Sequence, residues 1–314
     1  MHASFLPSKT TLSSLVIAGA LGALPLAAGC GGGRATGFES TGGGGDVTAE
    51  ARARHDELVA TGEAAWAERD NIDRLRAAID AWGQALEAVP TDWELWQRYA
   101  RAQYFLADGH MAFDPTLEAE TTAMYQAAIT SAERSLAEHY PEFAERMNNA
   151  TTIDEKIAAF NLIDASGVPA LYWRASALGK WARRDGFATV LSYKDEIRAM
   201  MTHCLNTDRY YFYAGPDRYF GAFYSVAPTY AGGDLELSRQ HFEHSIGVAP
   251  NYFGTHVLFA VEYAVKAQNR ELFTSELNLV IAGDANVEPD IRPENLAEQH
   301  KARDALARID ELFE

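Results

Sequence analysis

Apolar residues recur along most of this chain at the spacing of one face of an α-helix. In one stretch they follow one another at steps of three and four residues: Ile72, Leu75, Ile79, Trp82, Leu86 and Val89. A second stripe with helical spacing consists of Ile197, Met200, Met201, Cys204 and Leu205. No sustained alternation of apolar and polar residues, which would indicate a β-strand, accompanies them. The pattern therefore predicts an all-α fold of about a dozen helices.

Two proline-terminated segments share a further pattern. Small or aromatic residues lie 12, 8 and 5 positions before Pro90 and 6, 9 and 10 after it, namely Ala78, Trp82, Ala85, Trp96, Tyr99 and Ala100. The same offsets from Pro250 hold Ser238, Phe242, Ser245, His256, Phe259 and Ala260. This spacing is typical of tetratricopeptide (TPR) repeats, whose small residues let paired helices approach while aromatic rings fill the space between them. Since the two prolines are 160 residues apart, we expect a TPR-like α-solenoid with irregular repeats.

Local signals mark several helix ends. Thr91 with Glu94, and Thr152 with Glu155, fit capping boxes. Asp114 followed by Pro115 fits an N-cap and a first helical residue. A last helix is expected after Pro293, with a polar outer face that would cap the stack.

The charge balance limits the partners. Lys and Arg number 27 against 44 Asp and Glu, for a net charge of −17. Nucleic-acid binding needs clustered cations, and the sequence has no such cluster, so we expect no nucleic-acid partner. Two cysteines are too few for a disulfide framework or a four-cysteine zinc site.

The N-terminus has the organisation of a bacterial lipoprotein signal. Lys9 precedes an apolar stretch from Leu12 to Ala28, which is short for a spanning helix and suitable for a signal-peptide core. The stretch ends in Leu26-Ala27-Ala28-Gly29-Cys30, which looks like a lipobox. We expect a signal peptide over residues 1–29 and a lipid on Cys30. The alternative is an uncleaved anchor, or an ordinary secretion signal in which Cys30 is incidental.

Residues 30–48 are predicted to join the lipid to a helical domain of residues 49–314. Eight glycines fall between Gly31 and Thr48, so this stretch is expected to be a disordered, flexible tether. It lacks the GxxxxGK[ST] motif of a phosphate-binding loop.

Residues suited to catalysis or to metal binding are few. His241 and His244 are three residues apart and could share a helix face, but no third ligand accompanies them, so solvated histidines are the preferred interpretation. Cys204 lies on an apolar stripe and is interpreted as a buried small hydrophobic residue. No serine or cysteine is paired with a base at motif spacing. We therefore predict no enzyme activity, no catalytic residue, no metal and no cofactor.

Aromatic residues are concentrated between Tyr210 and Tyr230, where nine of 21 residues are Phe or Tyr. A second cluster is Leu171-Tyr172-Trp173-Arg174. Tyrosine hydroxyls and arginines beside aromatic rings can line a mostly apolar ligand cleft. Ordinary packing between repeats is the alternative for each of these rings. The candidate cleft residues are Tyr172, Trp173, Arg174, Tyr210, Tyr211, Tyr213, Asp217, Arg218 and Tyr224.

Several of these segments together resemble one protein family. They are the lipobox, Leu171-Tyr172-Trp173 with Trp181-Ala182, Gly215-Pro216-Asp217-Arg218, Gly232-Gly233-Asp234, and Ala249-Pro250-Asn251-Tyr252-Phe253. The combination resembles the T-component family of TRAP (tripartite ATP-independent periplasmic) transporters, most closely from residue 168 onward. The resemblance implies an all-helical lipoprotein with TPR-like hairpins around a cleft or pore. It also implies self-association and docking of the periplasmic solute-binding protein.

Two functions are therefore expected. The first is an accessory component of a TRAP-type uptake system, which binds a small hydrophobic or carboxylate solute, docks the solute-binding protein, or does both. The alternative is a TPR scaffold for protein–protein interaction in envelope assembly. A closed tyrosine-lined cavity would favour the first, and an open groove the second. Either protein would face the periplasm from a lipid anchor, and Gly31 after Cys30 favours the outer membrane.

Overall fold

The computed structural model describes residue 38 and residues 47–313, and all regular elements within these residues are helical. The α-helices in the described part of the chain are α1 (Ala49–Trp66), α2 (Ile72–Ala88), α3 (Trp93–Gly109), α4 (Glu118–His139), α5 (Pro141–Asn149), α6 (Ile153–Phe160), α7 (Val168–Asp185), α8 (Phe187–Thr207), α9 (Tyr211–Val226), α10 (Leu235–Val248), α11 (Phe253–Leu258), α12 (Arg270–Ala282), α13 (Arg292–Ala307) and α14 (Ile309–Leu312). A π-helical turn, Phe259–Ala264, continues α11. The predicted all-α class is confirmed.

Helices adjacent in the chain pack against one another as a solenoid. The pairs α1–α2, α3–α4, α7–α8 and α9–α10 form successive hairpins. The short pair α5–α6 is an insertion, because α4 packs directly on α7 while α5 and α6 lie against α4 and α8. This insertion explains why the two proline motifs are not separated by a whole number of repeats.

The C-terminal helices return to the middle of the solenoid. Helix α13 packs against α11 and α12, and it also contacts α3. Because α3 also packs on α7, and both α7 and α11 contact α9, these five helices surround a common interior. The functional site described below lies there.

Both proline motifs pack as their spacing predicts. Before Pro90, Trp82 is 1% exposed and lies between the small residues Ala78 and Ala85, which are fully buried. Before Pro250, Phe242 is fully buried beside Ser238 and Ser245. Residue size at these positions therefore sets how closely the paired helices approach.

The capping box predicted at Thr152 is present, whereas the one predicted at Thr91 is not. The Thr152 hydroxyl accepts from the Glu155 amide at 3.3 Å, and the Glu155 carboxylate accepts from the Thr152 amide at 2.9 Å. The prediction for Thr91 was wrong by one residue. Helix α3 is capped by Asp92, whose carboxylate accepts from the Leu95 amide at 2.9 Å and also contacts a ring nitrogen of His55 at 3.0 Å. The second contact ties this helix end to α1.

Phe38 lies in the stretch predicted to be a tether, yet it is part of the domain core. Its side chain is 1% exposed, and its ring packs edge-on against Phe143 with 5.3 Å between centroids. Helix α1 begins at Ala49 after an N-cap at Thr48. The predicted signal peptide, Cys30 and most of the linker lie outside the described residues.

Substitution of Gly221 tests how tightly the paired helices pack. A Cβ atom on Gly221 of α9 would lie 2.7 Å from the Phe242 ring of α10. We expect Gly221→Ala to lower the free energy of unfolding by about 1–3 kcal/mol, because either the ring or the backbone must move. Urea denaturation followed by circular dichroism measures this change.

Gly179→Ala is the matched control. Gly179 lies inside α7, and apart from the backbone of its own helix no atom of the described residues lies within 4 Å of the Cβ position. Alanine there should raise the free energy of unfolding by roughly 0.5–1 kcal/mol through helix propensity. Equal effects of the two substitutions would contradict the packing interpretation.

Candidate functional site

A partly open cavity of about 300 Å³ lies between α3, α7, α9, α11 and α13. Its apolar walls come mainly from α7, α9 and α11, and its charged residues come mainly from α3 and α13. The side chains that define its chemistry are Arg101, Tyr104, Asp108, Tyr172, Trp173, Lys180, Phe212, Arg218, Tyr252, Glu262, Glu294, Glu298 and Lys301.

Aromatic rings form a continuous wall on one side of the cavity. The Trp173 ring packs against Tyr104 at 5.2 Å and edge-on against Phe212 at 4.7 Å between centroids. The Trp173 indole donates a hydrogen bond to the Tyr211 hydroxyl at 2.9 Å, so its polar atom is satisfied. Tyr252 completes the wall beside Phe212 at 5.5 Å. This part of the cavity suits the apolar portion of a ligand.

Arg218 is the polar centre of this wall. The residue is 5% exposed, and its guanidinium lies 4.4 Å from the centroid of the Tyr252 ring. It donates to the Tyr172 hydroxyl at 2.9 Å and to the carbonyl of Tyr213 at 3.1 Å. Among the described residues it makes no ion pair with a carboxylate. Burial of an unpaired charge is unfavourable, so this guanidinium is suited to an anion from outside the protein.

Other charged groups of the cavity pair with one another. The Asp108 carboxylate receives Lys180 on one oxygen and Lys301 on the other, both at 2.6 Å. Burial alone would raise the pKa of Asp108, but the two ammonium groups hold it well below its usual range. The Glu294 carboxylate pairs with Arg69 at 2.7 Å and with Arg101 at 2.8 Å.

The charges that line the cavity are equal in number but not all paired with one another. Four cations, Arg101, Lys180, Arg218 and Lys301, line it together with four carboxylates, Asp108, Glu262, Glu294 and Glu298. Glu262 pairs at 2.9 Å with Arg183, which is not a lining residue. Arg218 is therefore the lining cation that has no carboxylate partner among the described residues, and an anionic ligand would supply one.

A left-handed turn shapes the cavity wall beside Arg218. Phe212, Tyr213 and Ala214 have φ of 45°, 59° and 51°. Such a conformation costs about 1–2 kcal/mol for each non-glycine residue, so the turn needs support. The Arg218 guanidinium donates to the carbonyls of Phe212 and Tyr213, and the Ser245 hydroxyl donates to that of Ala214. The segment before Gly215-Pro216 is therefore a strained turn that places Phe212 in the wall.

Five of the nine residues predicted to line a cleft gather at this cavity. Tyr172, Trp173 and Arg218 line it. Tyr211 lies directly behind Trp173, and Tyr213 stacks on Tyr252 at 5.3 Å.

The other four predicted residues, Arg174, Tyr210, Asp217 and Tyr224, lie elsewhere. Arg174 is 2% exposed and points to the opposite side of α7, where it pairs with Glu133 at 3.0 Å and Glu196 at 2.7 Å. Tyr210 is 65% exposed. Tyr224 stacks on His241 with 5.6 Å between centroids. None of these side chains lines the cavity.

Asp217 belongs to a separate buried cluster that joins α9 to α10. Its carboxylate is fully buried, receives two hydrogen bonds of 2.7 Å from Arg209, and contacts His241 at 2.8 Å and His244 at 3.1 Å. The two histidines are thus partners of Asp217, which corrects the prediction that they are solvated side chains. In the described part of the chain, no group of three His, Cys, Asp or Glu residues could hold a metal ion.

Acid titration should reveal the contribution of Asp217. Burial raises its pKa, but hydrogen bonds from Arg209 and His241 and the positive charges of His244 and Arg209 outweigh that effect and lower the pKa to about 2. The folded-state pKa lies below the unfolded value, so the stabilisation is present above about pH 4 and is lost towards pH 2. We expect wild type to lose about 2 kcal/mol more than Asp217→Asn over this range in urea denaturation.

Asp154→Asn, a change at an exposed residue of α6, controls for general effects of acid. If wild type and Asp217→Asn had parallel pH profiles, this role of the carboxylate would be excluded.

The structure thus defines a helical solenoid with an aromatic cavity in which Arg218 has no carboxylate partner among the described residues. Comparison with known protein families shows which family the chain belongs to. The TRAP transporter T-component family matches residues 108–313, and the chain belongs to this family. No curated protein matches the sequence.

Membership confirms the predicted resemblance and assigns the protein an accessory role in a TRAP transporter. A TRAP T-component is an accessory component of a transporter, and the T-components are not known as an enzyme family. A periplasm-facing envelope location fits such a component. Among the described residues, no helix has the length and apolar character needed to cross a membrane.

Proposed function

We propose that this T-component binds a small carboxylate solute with an apolar body in the cavity beside Arg218. The observation that carries the proposal is the buried guanidinium, which has only neutral hydrogen-bond partners within the described residues. Its bond to the Tyr172 hydroxyl uses an oxygen lone pair, so the hydroxyl proton stays available to a second acceptor. A carboxylate would accept from both groups, while the rings of Trp173 and Phe212 would contact the apolar part.

The size of the cavity supports a small ligand. About 300 Å³ is the lower limit of ordinary ligand pockets. The paired charges of Asp108 and Glu294 would remain compensated when such a ligand is bound, because each already has its own cations. Selectivity for a single negative charge near Arg218 follows from this arrangement.

Matched ligands test the proposal. A panel of aliphatic and aromatic monocarboxylates, each paired with its uncharged amide, is screened by thermal shift, and the strongest binders are measured by calorimetry. We expect the acids to bind and the amides to bind at least about tenfold more weakly. Arg218→Gln should weaken acid binding by about 10- to 100-fold, because charged hydrogen bonds are lost.

Arg209→Gln is the matched control, since Arg209 lies in the same region of the chain but pairs with Asp217 outside the cavity. Its acid binding should equal that of wild type. If acid and amide bind equally, or if both arginine variants lose the same affinity, Arg218 is not the anion site.

We propose in addition that the protein docks the periplasmic solute-binding protein of its transporter. An open groove of about 710 Å³ between α2, α3 and α4 supports this. Its floor is apolar, with Ile79, Leu106, Met111 and Met124, and acidic residues such as Asp80 lie along its edge. Grooves of this kind suit an apolar element of a partner protein. The same groove is the observation that favours the alternative of an envelope scaffold.

Affinity purification from envelope extracts distinguishes docking of the solute-binding protein from a scaffold function in envelope assembly. Ala123 is exposed and lines the groove, so Ala123→Arg should fill it without disturbing the core. Ala77 is exposed on α2 outside the groove, and Ala77→Arg is the control. We expect wild type and Ala77→Arg to recover the solute-binding protein, and Ala123→Arg to lose most of it. Recovery of assembly factors alone would favour the scaffold.

We further propose that Cys30 carries the lipid and that the protein is held on the outer membrane, facing the periplasm. The apolar stretch before Cys30 and Gly31 after it support this assignment. Self-association is also expected from the family, and exposed apolar residues such as Phe187 (76%) and Tyr230 (93%) offer surface for it.

A further inference from the structure

We infer that Tyr104 and Tyr252 form a second polar contact point in the cavity, and that they select an acid whose apolar body carries a keto or hydroxyl oxygen. This inference rests on the carboxylate site at Arg218 proposed above, and it defines the class of solute that the site accepts. Tyr104 lies on α3 and Tyr252 directly precedes α11, so separate elements bring the two side chains to the cavity.

The hydroxyl groups of these two tyrosines have no hydrogen-bond partner within the described residues. The neighbouring Tyr172 differs, because its hydroxyl accepts from Arg218 at 2.9 Å. Both unpartnered oxygens have access to free space, unlike the unpartnered Nε of Arg101, which is enclosed by protein atoms. Tyr252 is only 7% exposed, and a tyrosine hydroxyl at such a position ordinarily has a partner. The two groups are therefore suited to a partner that enters the cavity.

Both hydroxyls belong to residues beside the proposed carboxylate site. The Tyr252 ring packs on the Arg218 guanidinium, with 4.4 Å between its centroid and Cζ. Burial would lower the pKa of Arg218, but the phenol groups of Tyr172, Tyr252 and Tyr104 raise it by more, so all three lie near the guanidinium. A ligand held by Arg218 would thus have both unpartnered hydroxyls beside its apolar body.

The two hydroxyls remain protonated. Burial raises the pKa of Tyr104 well above its usual range, and the charge of Asp108 adds to this effect. Burial also raises the pKa of Tyr252, although Arg218 opposes it. Each hydroxyl can therefore donate to a keto oxygen, or both donate to and accept from a hydroxyl group. A purely aliphatic acid would leave both hydroxyls unpaired in the filled cavity, which is unfavourable.

Calorimetry on the full chain with acids of equal length tests this preference. Pentanoate is the parent acid, and 2-oxopentanoate, 2-hydroxypentanoate and 4-oxopentanoate carry the additional oxygen at different positions. We expect at least one oxygenated acid to bind about tenfold or more tightly than pentanoate. An additional oxygen that met no hydrogen-bonding group would lose its water and weaken binding. Equal or weaker binding of all three oxygenated acids would therefore contradict the inference.

Two conservative variants identify the groups responsible. Tyr104→Phe and Tyr252→Phe each remove one hydroxyl and keep the ring. Each should reduce the preference for the oxygenated acid to about threefold or less, while the affinity for pentanoate stays within about twofold of wild type. Tyr219→Phe is the matched control, since Tyr219 is half-buried on α9 and does not line the cavity. Its preference should equal that of wild type.

Thermal unfolding without ligand separates selection from a structural role. Because neither hydroxyl has a partner within the described residues, Tyr104→Phe and Tyr252→Phe should unfold at or above the wild-type temperature. Tyr172→Phe loses its bond to Arg218 and should unfold at a lower temperature. A lower unfolding temperature for Tyr104→Phe and Tyr252→Phe would show that their hydroxyls stabilise the fold, and would contradict the inference.

Failure of the carboxylate site and failure of this inference give different results. If no acid binds, or if acids bind Arg218→Gln as well as wild type, the site at Arg218 is wrong and selection by the tyrosines falls with it. If pentanoate binding depends on Arg218 but the oxygenated acids gain nothing, the carboxylate site stands and the role of Tyr104 and Tyr252 is refuted. The same holds if the preference survives in both tyrosine variants.

Discussion

Reciprocal ion pairs between α3 and α13 join the two helices that carry most of the charged residues of the cavity. Helix α3 supplies Arg101 to Glu294 of α13, and α13 supplies Lys301 to Asp108 of α3. Each carboxylate holds two cations, since Glu294 also pairs with Arg69 and Asp108 also pairs with Lys180, so loss of a carboxylate would leave two cations without this partner. The C-terminal helices thus depend on the third helix for their position. Because α13 forms one side of the cavity, the site also depends on these pairs.

Arg218 and the strained turn before it support each other. The turn presents two carbonyl oxygens, Phe212 and Tyr213, to the guanidinium, and the guanidinium offsets the cost of the left-handed conformation. Carbonyls are dipoles and do not neutralise a full charge. The same contacts that order the turn therefore leave the arginine electrostatically incomplete, which is the property an anion site requires. An anion that binds there competes with the carbonyls for donors, so ligand and turn are linked.

The local features of this fold were predictable and the long-range ones were not. Helix periodicity and the Thr152 cap depend on residues close together in one helix, and the size pattern around Pro90 and Pro250 depends on residues of two consecutive helices. All three are present. The Thr91 cap failed because Asp92 beside it is an equally good cap with a second partner in α1. Asp108 and Lys301 are 193 residues apart, and no spacing rule joins them.

For the candidate site, too, local features were predictable from the sequence and long-range contacts were not. Tyr172, Trp173 and Arg218 were found through their aromatic neighbours, and Arg174 was selected for the same reason. Both arginines are buried, but they differ in their counter-ions. Glu133 and Glu196, which neutralise Arg174, come from α4 and α8, whereas the groups around Arg218 are hydroxyls, carbonyls and rings. Tertiary packing alone decides which buried arginine is compensated, and compensation separates an arginine that stabilises the core from one that can bind a ligand.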